Sequence, residues 1–281
     1  MLQKSLTTTD LGLRWLLRKM DICPNAYYNY QKNRKASYYQ RKEKIKQIIR
    51  EIYHEYEGRP GYRMMKVFLE RKKIFLSKNT VLRYMQELKI HSIRRPKKAR
   101  YHKGEQYKKF DNLLKQDFTA KRPNQKWCTD FTYLYLSDGA KRYNCSIIDL
   151  YDKSIVATLN GKRIDATLAI DTLKIALQKN KACKDLILHS DQGSQFTSKD
   201  FTEYCEKEHI RQSMSKAGCP YDNSVMESFY GTFKDEFIRQ HIFHTDEELN
   251  NGTIDYVYGY YNHLRPHSSN GYLTPFEKRM S

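Results

Sequence analysis

The hydrophobic pattern of this chain changes period part-way along its length. Between Gln40 and Leu88, apolar residues recur at steps of three and four. Ile45, Ile48, Ile49, Ile52, Tyr53 and Tyr56 make one stripe; Met64, Met65, Phe68 and Leu69 a second; Val81, Met85 and Leu88 a third. That spacing predicts a helix from about Gln40 to Tyr56, a break at Gly58 to Gly61 with Pro60, and two further helices, the last capped by Ser77 or Asn79. From Trp127 the pattern switches to alternating, β-branched and aromatic residues. Trp127 to Leu136, Tyr143 to Leu150 and Ser154 to Leu159 read as strands joined by turns at Ser137-Asp138-Gly139 and Tyr151-Asp152, an antiparallel meander. Next come a helix from Ala166 to Gln178 capped by Asp165, a buried strand Leu186 to Leu188, and a helix from Lys199 to Glu208 capped by Ser198. A loose stretch, Ser213 to Tyr221, leads into a last helix bearing Glu227. The expected whole is an all-α, helix-turn-helix-like module followed by a mixed α/β layer.

Charge divides the chain at the same place. Residues 1–110 hold 29 Lys and Arg against 9 Asp and Glu, a net of +20, whereas residues 111–281 hold 22 against 23, a net of −1. At 281 residues the chain exceeds what one core usually serves, so two domains are expected. Solubility alone does not require an excess confined to one module; a polyanionic partner, DNA or RNA, accounts for it. Lys78, Arg83 and Lys89, assigned to the third helix, are candidate contacts to phosphates or bases in a major groove. Arg94, Arg95, Lys97 and Lys98, in a stretch with little apolar content, are candidates to track a phosphate backbone. The division reads as a basic helical domain over 1–95, a basic linker over 96–118 and an α/β domain over 119–281. Six cysteines, at 23, 128, 145, 183, 205 and 219, show neither close pairing nor zinc spacing, as expected of reduced intracellular thiols. Arg14 interrupts the only apolar stretch near the start, and no run is long enough to span a bilayer. A cytoplasmic protein with no membrane partner, associated with the nucleoid in a bacterium, is the expectation.

Three acidic residues stand in contexts suited to a divalent metal. Asp130 follows Trp127-Cys128-Thr129 in a β-rich run, Asp191 closes the apolar stretch Leu186-Ile187-Leu188-His189-Ser190, and Glu227 lies in the helical DNSVMESFYGTFK. Sixty residues lie between the first two and thirty-five between the second and third. An Asp at a strand end is ordinarily a turn former, and a lone helix Glu is ordinarily a surface residue. Asp130 within an aromatic strand is harder to explain that way, because burying an uncompensated carboxylate costs several kcal/mol. His189, two positions before Asp191, is assigned to the other side of the sheet and is not read as a ligand. Asn223 is placed to cap the Glu227 helix, with Asp222 adding charge near its start. Lys234, two helical turns after Glu227, is placed to grip a phosphate.

The segments WCTDFTYL, HSDQGSQF, GCPYDNSVMESFYGTFKDE and YNHLRPHSSNGYLTP, in that order, resemble the insertion-sequence transposases of the two-reading-frame branch related to retroviral integrases, specifically the downstream-frame product called OrfB. GYRMMKVFLERKKIFLSKNTVLRYM resembles that family's upstream helical DNA-binding module. One departure stands out: Asn270 occupies a position that is usually leucine in the family. The resemblance implies an α/β, ribonuclease H-like mixed sheet with flanking helices, and a DDE catalytic core in which Asp130, Asp191 and Glu227 are both catalytic and metal-binding. It implies Mg²⁺ or Mn²⁺ as cofactor, two ions, and cleavage at element ends followed by strand transfer to target DNA. Implied partners are terminal inverted repeats and target DNA, a homo-oligomer on that DNA, and an upstream-frame protein. Two alternatives stay open: a ribonuclease H-type nuclease that cuts without joining, and a DNA-binding regulator with an inert catalytic domain.

Overall fold

The computed structural model describes residues 12–32, 35–93, 110–180, 184–216 and 219–281, which divide into two compact units, Met1–His91 and Ser92–Ser281. The first unit is all helix: α1 (Leu13–Lys19), α2 (Pro24–Gln31), α3 (Ala36–Glu55), α4 (Tyr62–Arg71) and α5 (Lys78–Glu87). Its core follows the apolar stripes. Ile45, Ile49 and Ile52 of α3 pack with Met65, Phe68 and Leu69 of α4 and with Val81, Tyr84 and Met85 of α5, and the rings of Tyr56 and Phe68 stack at 4.5 Å. Gly58, at φ +76°, turns the chain after α3 in the left-handed region that glycine adopts without cost. Ser77 caps α5, its hydroxyl accepting from the Thr80 N–H at 3.1 Å. Helices α1 and α2 were not anticipated, because they bury little: Leu17 is the buried residue of α1, and α2 has none. Lys89 lies beyond the end of α5, at φ +57°, rather than on the helix as expected.

The second unit is built on a five-stranded sheet in the order β3-β2-β1-β4-β5: β1 (Lys126–Tyr135), β2 (Lys141–Asp149), β3 (Ile155–Gly161), β4 (Ile187–Ser190) and β5 (Arg211–Met214). Strands β1, β2 and β3 form the expected antiparallel meander, and β4 and β5 add to it in parallel. Strand β5 falls where the sequence reading began a loose stretch. Ser213 and Met214 are its buried residues, so only pairing with β4 marks the segment as a strand.

Along β1, alternate side chains leave opposite faces. Trp127 packs with Ile147, Leu186, Leu188, Phe196 and the inner residues of α6 (Ala166–Lys179) and α7 (Lys199–Lys207), among them Ala169, Leu173, Ala176, Phe201 and Cys205. Asp165 and Ser198 cap these helices as expected, accepting from Leu168 N–H at 2.9 Å and Phe201 N–H at 3.3 Å. Cys128, Asp130 and Thr132 take the other face, where α8 (Ser224–Glu236) meets β1: the Tyr230 hydroxyl donates to the main-chain carbonyl of Asp130 at 2.6 Å. Beyond α8, α9 (Asp246–Ile254) runs into a π-helical turn, Asp255–Tyr261, and the unit closes on α10 (Pro275–Met280). Phe229, Phe233, Phe237, Tyr256 and Tyr261 form the aromatic layer between these pieces. Residues 111–117, counted with the linker in the sequence reading, lie against this unit: Leu114 is buried, Leu113 N–H donates to Ser213 Oγ, and Asn112 and Gln116 donate to Asp222. Among the described residues no helix is long and apolar enough to cross a membrane.

Candidate active site

The parallel register of β1 and β4 sets the geometry. Lys126, Trp127 and Cys128 pair with Ile187, Leu188 and His189; carried two residues further, the same register sets Asp130 opposite Asp191. Neighbouring strands lie about 4.8 Å apart, and the two carboxylates leave the same face. Each is steered by a neighbouring main-chain N–H. Phe131 N–H donates to Asp130 Oδ1 at 2.7 Å, and Gly193 N–H donates to Asp191 Oδ1 at 2.9 Å, bending the chain away from the end of β4.

Electrostatics reports the crowding. Burial, and next the neighbouring Asp191 carboxylate, push the Asp130 carboxyl up to about 8; Glu227 adds to the rise, while the Phe131 hydrogen bond and the Lys234 ammonium oppose it. Burial raises Asp191 as well. Lys234, two turns beyond Glu227 on α8, is therefore within electrostatic reach of the paired aspartates. Glu227 is in the first turn of α8 and exposed. As the side chains stand, no three His, Cys, Asp or Glu among the described residues are gathered closely enough to hold a metal ion.

Two expectations near the site are corrected. Asn223 makes no capping hydrogen bond to α8; its amide instead donates to Asp130 Oδ2 at 3.2 Å, across 93 residues of sequence. Asp222, two residues before the start of α8, is hydrogen-bonded on its loop side. Its carboxylate accepts from Lys216 N–H at 2.9 Å, Gln116 Nε2 at 2.9 Å and Asn112 Nδ2 at 3.0 Å, fastening the preceding loop to the 111–117 segment. His189 is also misplaced by the sequence reading, since a strand period of two puts it on the face of Asp191. It is nevertheless engaged elsewhere. Its Nδ1 meets Ser213 Oγ at 2.8 Å and its Nε2 meets the Asp222 carbonyl at 3.0 Å, so the ring ties β4, β5 and the turn before α8 together.

Other candidates belong to the helical unit and the segment after it. Lys78 and Arg83 are exposed on α5 and Lys89 is exposed just after it; Arg94, Arg95, Lys97 and Lys98 lie outside the described residues.

Integrase core domain models match residues 120–220 and 208–275, and an HTH-like domain model matches residues 40–98. Over 264 residues the chain is 33% identical to the putative transposase InsK for insertion sequence element IS150 of Escherichia coli K12, covering 94% of this chain and 92% of that protein. The chain belongs to the insertion-sequence transposases with an integrase core. Transposase InsF for insertion sequence IS3A of the same strain is 38% identical over 165 residues, 59% of this transposase-family chain and 57% of InsF. Among solved structures, the HTLV-2 integrase catalytic core domain in complex with magnesium aligns at TM-score 0.44 and 18% identity, covering 57% of this chain and 98% of that one. A chain of the simian T-cell lymphotropic virus intasome in complex with PP2A regulatory subunit B56 gamma aligns at TM-score 0.46 and 15% identity, covering 79% and 71%. The family models and the relatives together make the mixed sheet and its flanking helices the integrase core domain of an insertion-sequence transposase, preceded by an HTH-like module. For a transposase of this kind, Asn223 is the site residue that sequence reasoning passed over. Its signal was present in its place four residues before Glu227, but that position also suits a helix cap.

Proposed function

We propose that this transposase cleaves phosphodiester bonds at the ends of an insertion sequence and joins the freed ends to target DNA, with Asp130, Asp191 and Glu227 as its catalytic and metal-binding carboxylates. The observation that carries the reading is the register of β1 and β4, which brings Asp130 against Asp191 while Asp130 is pushed up to about 8 by burial and by its carboxylate neighbours. Like charges held together in a half-buried site are relieved by a hard cation, and the donors are all oxygen, so the residues fit Mg²⁺ or Mn²⁺, in a pair of ions. When bound, such ions supply activation of an attacking oxygen and stabilisation of a leaving one. Glu227, exposed on α8, completes the set by swinging its long side chain toward the aspartates.

The chain's own residues place the reactants. Phe131 N–H and the Asn223 amide orient Asp130, Gly193 N–H orients Asp191, and the Tyr230 hydroxyl locks α8 to β1. Lys234 supplies a positive charge for the phosphate beside the carboxylates. In the first step a water oxygen bonds to phosphorus as the bond to the 3′ oxygen breaks, releasing a 3′ hydroxyl. In the second, that hydroxyl oxygen bonds to a target phosphorus and the target's own 3′ oxygen leaves, so bond number is conserved in each exchange. The helical unit, with the basic 94–98 segment after it, holds DNA; terminal inverted repeats and target DNA are its substrates. A homo-oligomer synapsing two ends, assisted by an upstream-frame protein, is the working assembly in a bacterial cytoplasm.

Incubating purified protein with candidate terminal repeats, target DNA and Mn²⁺ tests this. Joined products are expected from the wild type, while Asp130→Asn, Asp191→Asn and Glu227→Gln each lose cleavage and joining by at least about a hundredfold with DNA affinity retained. Nicked DNA without joined product supports a nuclease instead, and undiminished joining by Glu227→Gln removes that residue from the site.

A further inference from the structure

The sheet face away from the carboxylates is covered only in part. Register puts Phe131, Tyr133 and Tyr135 of β1 on that face, beside Cys145, Tyr143 and Lys141 of β2. Helical cover stops short of the tyrosines. Phe196 packs on Phe131 with ring centroids 5.3 Å apart, and Leu168 of α6 lies so close over Gly161 that an added Cβ would meet it at 2.7 Å. Past those contacts Tyr133 is 52% exposed and Tyr135 54%. Tyr133 and Tyr143 meet edge to face at 5.4 Å, a cross-strand pair that sheet stability explains. Sheet stability does not require Tyr135, which stands opposite Lys141. Lys141 is exposed, as is Arg163, two residues past the Tyr143 partner Gly161. The acidic side chains nearest in sequence, Asp138 and Asp165, accept from the main-chain N–H groups of Ala140 and Leu168. Flat aromatic faces with cations at their edge suit a partner that offers both base faces and phosphates. Single-stranded DNA does so, whereas a duplex keeps its base faces stacked on one another. The site also supplies a route. Among the described residues β4 pairs with β1 no further than Cys128, so past Asp130 one side of β1 carries no strand. Tyr133 and Tyr135 follow Asp130 by about 10 and 17 Å along β1, and a DNA strand leaving the carboxylates over that side arrives at the rings.

We propose that Tyr133 and Tyr135, with Lys141 and Arg163, form a stacking platform for single-stranded DNA, taking unpaired bases of the strand freed beside the carboxylates. The inference deepens the proposed function and rests on the reading that DNA is the substrate.

The test is fluorescence anisotropy of the full-length protein in EDTA, which separates binding from cleavage, with a thymidine single strand, an abasic strand and a duplex of equal length. Wild type is expected to hold the thymidine strand at least about tenfold more tightly than the abasic strand, because only the former can stack. Tyr133→Ser/Tyr135→Ser should lose about tenfold to a hundredfold on the thymidine strand and nothing on the other two, whereas Tyr133→Phe/Tyr135→Phe keeps the wild-type values. A single strand carrying iodinated uracil should photo-crosslink in the wild type to Tyr133 or Tyr135. Unchanged thymidine-strand affinity in the serine variant, equal losses on all three ligands, or crosslinks confined to other residues overturns the inference and leaves the DNA reading in place. Loss of self-association in the serine variant with thymidine-strand binding intact overturns it in favour of a protein contact. Failure of the wild type to bind any of the three ligands overturns both readings.

Discussion

His267 is 7% exposed, and burial, followed by the positive charges of Arg265 and Lys153, holds its imidazole down to about 3. In the unfolded chain the same ring titrates near 6.5. Between those values the unfolded chain binds a proton that the folded one refuses, so the stability that neutral His267 contributes is complete above about pH 6.5 and is lost as pH falls toward 3. Unfolding free energies of wild type and His267→Gln, measured by urea titration, should draw together by about 2 kcal/mol in the wild type's disfavour from pH 7.5 to pH 5. A difference independent of pH would mean that the folded ring takes up a proton as readily as the unfolded one. Asn270, the departure from the family pattern, finds its reason nearby: it is buried and donates to the Asp152 carbonyl at 2.6 Å, a bond that leucine could not make.

Strand β3 is the edge of the sheet, and its first residue takes a partner from a helix-derived segment. Ile155 N–H donates to Asn262 Oδ1 at 2.9 Å and Asn262 Nδ2 donates to the Ile155 carbonyl at 3.0 Å, so one amide side chain substitutes for a neighbouring strand. Asn262→Leu would leave both buried main-chain groups unpaired, at a cost on the order of 2–4 kcal/mol. Thermal unfolding should report this as a drop of several degrees, with the Asp130–Asp191 pairing in β1 and β4 unaffected. A midpoint within a degree of wild type would show that the edge does not depend on this bond. Arg265 serves the same C-terminal layer, donating to both oxygens of Glu236 at 2.9 and 3.0 Å. Asn262 and Arg265 of the terminal motif are thus both held in packing contacts with the sheet unit.

Across the whole molecule, charge and fold divide together. The net +20 falls within residues 1–110, which include the all-helical unit, and residues 111–281, which include the whole sheet, carry a net of −1. Polyelectrolyte binding follows the number of phosphates neutralised, and counterion release makes affinity fall with salt in proportion. Removal of residues 1–95 should weaken DNA binding by at least about a hundredfold at low salt and flatten its salt dependence, measured by fluorescence anisotropy from 50 to 200 mM salt. A slope unchanged by the truncation would transfer the electrostatic contacts to the sheet unit.

Local pattern was enough to fix the periods of α3 to α8, the meander, the caps at Ser77, Asp165 and Ser198, and the contexts of Asp130, Asp191 and Glu227, because each depends on residues within a few positions. What sequence left open depends on chain segments far apart. Arg211–Met214 becomes a strand only because β4 offers it hydrogen bonds, and Asn223, a plausible cap by position, is drawn to Asp130 by a carboxylate that folding brings beside it. Side-chain alternation and helical period declare which face is buried; which partner meets that face is decided only when distant segments compete for the same hydrogen bonds, and that competition is settled by the folded chain alone.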